Sequence, residues 1–106
     1  MIMDVEKKLD QAVAFHQAGR LSEAEKLYQQ VLADNPQNAD ALHLLGVIAY
    51  QANKHRLAIN LITYSIEIAP QQAEAYNNLG IILQELQTYY FPSLLLKQIT
   101  FIYFFS

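Results

Sequence analysis

The chain has 106 residues, no cysteine, three glycines and three prolines, and ten acidic against seven basic residues give it a formal charge of -3. That length holds one small domain and is short for most enzyme folds with a substrate site; the missing thiols exclude disulfides, thiol catalysis and thiolate metal sites; and the acidic balance without a basic patch argues against a nucleic-acid partner. Abundant Ala, Leu, Ile, Gln and Glu favour an all-α fold.

Met1 to Lys8 mix acids with bases and lead into no continuous apolar stretch, so the N-terminus does not read as a secretory signal and a cytoplasmic location is expected. Further along, residues recur at a fixed offset of 34: Ala24 with Ala58, Pro36 with Pro70, Ala39 with Ala73, Ala41 with Ala75, Leu45 with Leu79 and Gly46 with Gly80. The register divides the chain into units at 5–38 and 39–72 and an incomplete one from 73 to 88 onward, a repeat domain over 1–88 followed by a divergent hydrophobic tail over 89–106.

In the first unit a helix is expected to end at Gly19, a residue that takes the left-handed conformation readily. A second helix is predicted to begin at Ser22, with Glu25 three residues on completing a capping box, and to stop at Asn35-Pro36. The second unit repeats the plan. Leu42, Leu45, Ala49 and Ala52 have helical spacing, Asn53 marks the break, Ala58, Ile59, Ile62 and Ile66 form the next helix, and Ala69-Pro70 closes it. A third unit starts at Ala73, its second helix expected after Thr88 with Pro92 in the first turn.

These residues resemble the tetratricopeptide repeat, whose pattern runs from a large residue through a Leu-Gly pair, an aromatic, Ala and a second aromatic to a closing Pro. The second unit matches with Leu42, Leu45-Gly46, Ala49, Ala58, Ile62 and Pro70, the first more loosely with Lys8, Gln11-Ala12, Phe15, Ala24, Tyr28 and Pro36, and the third begins with Tyr76, Leu79-Gly80 and Leu83. The resemblance implies a right-handed α-solenoid of antiparallel helical hairpins, two full units plus a partial, divergent third. Ala12, Gly46 and Gly80, with Ala24 and Ala58 opposite, would then stand where the paired helices approach most closely. A phosphate-cradling role for the glycines finds no support, because no G-x-G-x-x-G or G-K-[ST] string exists.

The resemblance further implies an inner groove, lined by the first helix of each unit, that binds a partner peptide. Mapped onto this chain, the inner face comprises Glu6, Leu9, Asp10, Val13, His16 and Gln17 in the first unit. It continues with Asp40, His43, Leu44, Val47, Tyr50 and Gln51, then Glu74, Asn77, Asn78, Ile81, Gln84 and Glu85. All but Glu6, Leu9, His16, Asp40, Glu74 and Glu85 are expected as peptide contacts, with Asn78 foremost, because a side-chain amide both donates to and accepts from a peptide backbone. The string Asn77-Asn78-Leu79-Gly80 is similar to repeats attached to protein O-linked N-acetylglucosamine transferases, in which stacked asparagines hold peptide backbone; here Asp10 and Leu44 interrupt such a ladder. Neither is the lysine, arginine and asparagine set by which some family members clamp a C-terminal carboxylate present, since Leu9 and Val13 stand in its place. The acidic lining predicts a neutral or basic peptide.

No catalytic constellation is found, and no cofactor is expected. His16, His43 and His55 lack a second ligand at zinc-pair spacing, Glu23 and Glu25 read as charges facing the helix dipole, and no serine sits in a nucleophile-elbow string. Seven of the twelve aromatics fall in the last eighteen residues, with Lys97 as their one charge, more apolar surface than one helical face can hide. That tail is read as a truncated or altered end, as a homo-oligomer surface, or, less readily given its length and Pro92, as a membrane attachment. Three functions are carried forward: a non-enzymatic protein interaction module, the substrate-recruiting amino-terminal part of a truncated glycosyltransferase-like protein, and tail-mediated membrane attachment.

Overall fold

A computed structural model describes residues 4–90, the last three by their backbone alone. They form five helices: α1 (Val5–Gln17), α2 (Leu21–Asp34), α3 (Ala39–Gln51), α4 (His55–Ile68) and α5 (Ala73–Tyr90). The two full units are α-hairpins, α1 with α2 and α3 with α4, so the fold is an all-α helical solenoid.

Each hairpin turns on one residue with positive φ, Gly19 at 78° and Asn53 at 62°. In the first turn the Gly19 N–H donates to the His16 carbonyl at 3.0 Å and the Arg20 N–H to the Phe15 carbonyl at 2.8 Å; in the second, Asn53 donates to Tyr50 at 2.9 Å and Lys54 to Ala49 at 2.8 Å. This paired closure satisfies the last carbonyls of one helix and aims the chain directly into the next. It also overturns the capping box expected at Ser22 and Glu25. With the Arg20 N–H already committed to Phe15, helix α2 starts at Leu21 with Arg20 as its N-cap and no side-chain cap. Arg20 serves the turn differently: its guanidinium lies 5.0 Å from the centroid of the Phe15 ring and its Nε donates to Glu23 at 2.7 Å.

The first helix of each full hairpin is capped by a side chain. Asp4 accepts from the Lys7 N–H at 2.9 Å and Asn38 from the Ala41 N–H at 2.9 Å, each filling an orphan donor of a first turn. At the next junction Gln72 stands in the Asn38 position and takes a different part. Its amide nitrogen donates to the Ser65 hydroxyl at 2.9 Å, to the Ser65 carbonyl at 3.0 Å and to the Ala69 carbonyl at 3.0 Å. The buried Ser65 hydroxyl donates in turn to the Ala39 carbonyl at 2.8 Å, which ties the end of α4 to the start of α3.

Helix α5 departs from the plan. The repeat places its break at Gln87, but glutamine does not readily adopt the left-handed conformation of Gly19 and Asn53, and α5 continues through Tyr90 for 18 residues against 13 in α1 and α3. The second helix expected after Thr88 therefore cannot start there. Residues 91–106, which carry most of the predicted tail, lie outside the described residues.

The core is a row of clusters and has no single centre. Ala12, Ala24, Tyr28, Val31, Ala41 and Ile48 pack together across the first hairpin and α3, and Ala49, Ala58, Ile62, Ala75 and Ile82 across the second hairpin and α5. Small residues set the closest approaches, as the repeat pattern implies: Ala12, Ala24 and Ala58 have no exposed surface. At Gly46 a Cβ would fall 2.6 Å from Ile62 Cγ1 and 3.3 Å from the Ala58 carbonyl oxygen, whereas at Gly80 it would meet nothing within 4 Å among the described residues. The two glycines share a register but not an environment.

Tyr28 is fully buried, and its hydroxyl has no hydrogen-bond partner among the described residues. Burial pushes its pKa up to about 12.

Two measurements of urea unfolding check this packing. Gly46→Ala is expected to cost roughly 1–3 kcal/mol through overpacking against Ile62, while Gly80→Ala costs less or gains up to about 1 kcal/mol from helix propensity. Equal losses would contradict the difference in packing. Tyr28→Phe, which removes a buried unpaired hydroxyl and keeps the ring, is expected to leave stability unchanged or raise it by up to about 1 kcal/mol; a loss beyond that would reveal a partner for the hydroxyl.

Candidate functional site

Helices α1, α3 and α5 form one layer, and α2 and α4 the other. The face shared by α1, α3 and α5 carries the residues mapped from the sequence, and the repeat arranges them in rows. Glu6, Asp40 and Glu74 occupy one register position in the first turn of three successive helices, and all are exposed. Val13, Val47 and Ile81 form an aliphatic row one to two turns further on, the two valines half-buried and Ile81 43% exposed. Gln17, Gln51 and Glu85 follow as an exposed polar row. Asp10, Asn77 and Gln84 are also exposed, while Leu44 and Tyr50 are half-buried and contact the two core clusters.

Adjacent rows are joined by side-chain bonds at a constant separation. The His16 Nε2–H donates to Gln51 Oε1 at 2.7 Å, and Asn78 Nδ2 donates to His43 Nε2 at 2.8 Å; each pair is 35 residues apart. The Tyr50 hydroxyl donates to the Glu85 carboxylate across the same interval, which raises the tyrosine pKa. One residue beyond the 34-residue repeat is a turn of about 100° round the helix, so each bond joins a position on one helix to a different position on the facing flank of the next. His55 reaches the same cluster, with Nε2 3.9 Å from Glu85 and its ring edge-on to Tyr50 at 5.5 Å.

Four of the expected contacts, His43, Tyr50, Gln51 and Asn78, are thereby engaged within the protein, three of them at least partly buried. His43 is buried, only 5% exposed, and supports the face from beneath. Asn78 is half-buried with one N–H of its amide engaged by His43, so the second N–H and the carbonyl oxygen are the groups left for a ligand. Sequence spacing gave no sign of these pairings, because they join positions that are not equivalent in the repeat. Among the described residues no group of three or more His, Cys, Asp or Glu could hold a metal, and no helix is long and apolar enough to cross a membrane.

Burial lowers the His43 pKa below that of an ordinary imidazole, against the opposing charges of Glu74 and Asp40. The Asn78 bond acts with burial, because Nε2 accepts it only in the neutral ring. Protonation thus favours the unfolded chain: the His43 contribution to stability is complete above the usual imidazole pKa, near ~6.5, and is lost as pH falls through the lower folded-state value. Proton NMR is expected to show His43 titrating below that reference, and His43→Gln to flatten the fall in melting temperature on acidification from neutrality. A His43 midpoint at or above the reference value would refute the buried, neutral state.

The model of the tetratricopeptide repeat matches residues 9–73, a span that covers the second helical turn of α1 through the start of α5. Tetratricopeptide repeat protein 7B of Homo sapiens is 27% identical over 66 residues, which is 62% of this chain and 8% of the relative. The matched stretch thus spans less than a tenth of that protein's length. The 34-residue register, the left-handed turns at Gly19 and Asn53, and the small residues at the helix contacts agree with these matches: the chain belongs to the tetratricopeptide repeat family, whose domains serve as protein–protein interaction modules.

Proposed function

We propose that the α1/α3/α5 face binds an extended, neutral or basic segment of a partner protein. The observation that carries this reading is the row of exposed carboxylates Glu6, Asp40 and Glu74, set beside the aliphatic row of Val13, Val47 and Ile81. The carboxylates sit in first turns, where the helix dipole favours them in any case. Their alignment across three helices, however, creates a summed negative field along one edge of the face. Lysine or arginine side chains meet that edge, and apolar side chains meet the valines.

Asp10, Gln17, Gln51, Asn77 and Gln84 supply exposed polar groups between and beyond these rows, suited to the backbone of an extended chain. The inter-helix bonds of His16, His43 and Tyr50 hold the face in one arrangement before a ligand arrives, which reduces the ordering cost of binding.

A random peptide library selected on the immobilised full chain tests the proposal. Selected peptides are expected to be enriched in Lys, Arg and aliphatic residues. Replacing Asp40 and Glu74 by Asn and Gln is expected to weaken them about tenfold and to reduce the salt dependence of binding, while Val47→Glu abolishes it with helical content retained. Selection of acidic peptides, or binding indifferent to all three changes in folded protein, would overturn the reading.

A further inference from the structure

The opposite layer carries a feature that groove binding does not use. Leu57, Leu61, Tyr64 and Ile68 of α4 follow each other at i, i+4, i+7 and i+11, one narrow stripe along the helix about 17 Å long. Leu57 is 46% exposed and Tyr64 39%, with Leu61 and Ile68 half-buried. The same register positions in α2 hold Glu23, Leu27, Gln30 and Asp34, so the first repeat is polar at three of the four places where the second is apolar. The stripe is therefore a property of this repeat and not a requirement of the hairpin.

It adjoins a cleft. Leu57 and Leu61 form one wall, Glu25 and Gln29 of α2 the other, and Leu45 and Ile48 of α3 lie between them, around a volume of about 240 Å³.

The charges on α4 are segregated along its length. Lys54 and Arg56 stand at its N-terminal end and Glu67 in its last turn. At 100° per residue, Arg56 and Glu67 lie about 20° apart around the helix axis, on one flank of the stripe. Neither makes an ion pair with any described residue.

We infer that α4 is the contact between two copies of this chain, packed antiparallel about a two-fold axis. A two-fold axis between the helices and perpendicular to them keeps each flank on its own side and reverses the ends. Arg56 then faces Glu67 of the second copy, and Glu67 faces its Arg56, so the surface is complementary to itself in charge. The apolar spacing fits the same operation: Leu57 meets Ile68 of the second copy, and Leu61 meets its Tyr64 at the mouth of the cleft. A parallel pairing, about an axis along the helices, would carry the charged flanks to opposite sides of the pair and bring no Arg56 to a Glu67. This surface is independent of the α1/α3/α5 face and leaves it open in both copies.

Analytical ultracentrifugation of the full chain, over a range of concentrations, tests the inference. The wild type is expected to show a monomer–dimer equilibrium. Arg56→Glu and Glu67→Arg are each expected to weaken it about tenfold or more, because the symmetry loses two ion pairs per substitution and gains two repulsions. The double variant is expected to restore the affinity to within about threefold. Both single changes put a charge where the helix dipole favours it, acid in the first turn and base in the last, so weakened dimers will not reflect a lost helix. Leu57→Glu is expected to give monomer with unchanged circular dichroism. Three results would overturn the inference: a monomer at every concentration, self-association that none of the four variants alters, or single-variant losses without rescue in the double. The second would place the contact on another surface, and the third would exclude the antiparallel arrangement.

Discussion

The close approach of helices at small residues is the constraint on which the rest of this chain depends. At Gly46 a methyl group would lie 2.6 Å from Ile62 Cγ1, so α3 and α4 can sit at their observed spacing only because position 46 has no side chain. The paired alanines Ala12 and Ala24 serve the first hairpin in the same way. Once two helices are this close, larger side chains must find room on the remaining faces, and those faces then require the first helix of the next unit. Ile48 belongs to the cluster of the first hairpin, and Ala75 and Ile82 belong to the cluster of the second. Stacking follows from packing within the hairpin.

The 35-residue separation of bonded pairs in the α1/α3/α5 layer has consequences for the site. Because partners are 35 residues apart, each polar contact joins two different positions of the repeat, an imidazole to an amide or a phenol to a carboxylate. Equivalent positions, 34 apart, remain side by side and unlinked, and they form the rows of like residues at Glu6, Asp40 and Glu74 and at Val13, Val47 and Ile81. One geometry therefore supplies both internal bracing and an ordered outer surface. His43 shows the cost of the arrangement: a buried imidazole is held neutral by desolvation and by the amide it accepts from.

The opposite layer is less regular, and its irregularity separates requirement from elaboration. Ala24 and Ala58 are the same residue at a position that is fully buried in both units. Glu23 and Leu57 differ because that position faces outward in both units and packing places no demand on it. Residues that vary at such positions are free to serve contacts with other molecules.

The sequence by itself determined the period, the helical hairpins and the turn residues. Gly and Asn at a left-handed position, Pro after a helix end and Ala at a helix contact are local requirements of the backbone or of a near neighbour, and they leave a trace in residue type. The family resemblance also grouped the first helices of the units into one layer, since that follows from register alone. Other features were decided only by the tertiary structure. Ser22 and Glu25 form a plausible cap on paper, but the turn closes by backbone bonds one residue too early for it. Gln87 ends nothing, so α5 runs past the expected break. Asn78 and His43 read as separate groove contacts, yet they bond to each other beneath and within the face, because which flanks of neighbouring helices meet is set by packing and is not written in the repeat length. Gly46 and Gly80 share a register position and a preceding leucine, and among the described residues only Gly46 has another helix packed against it.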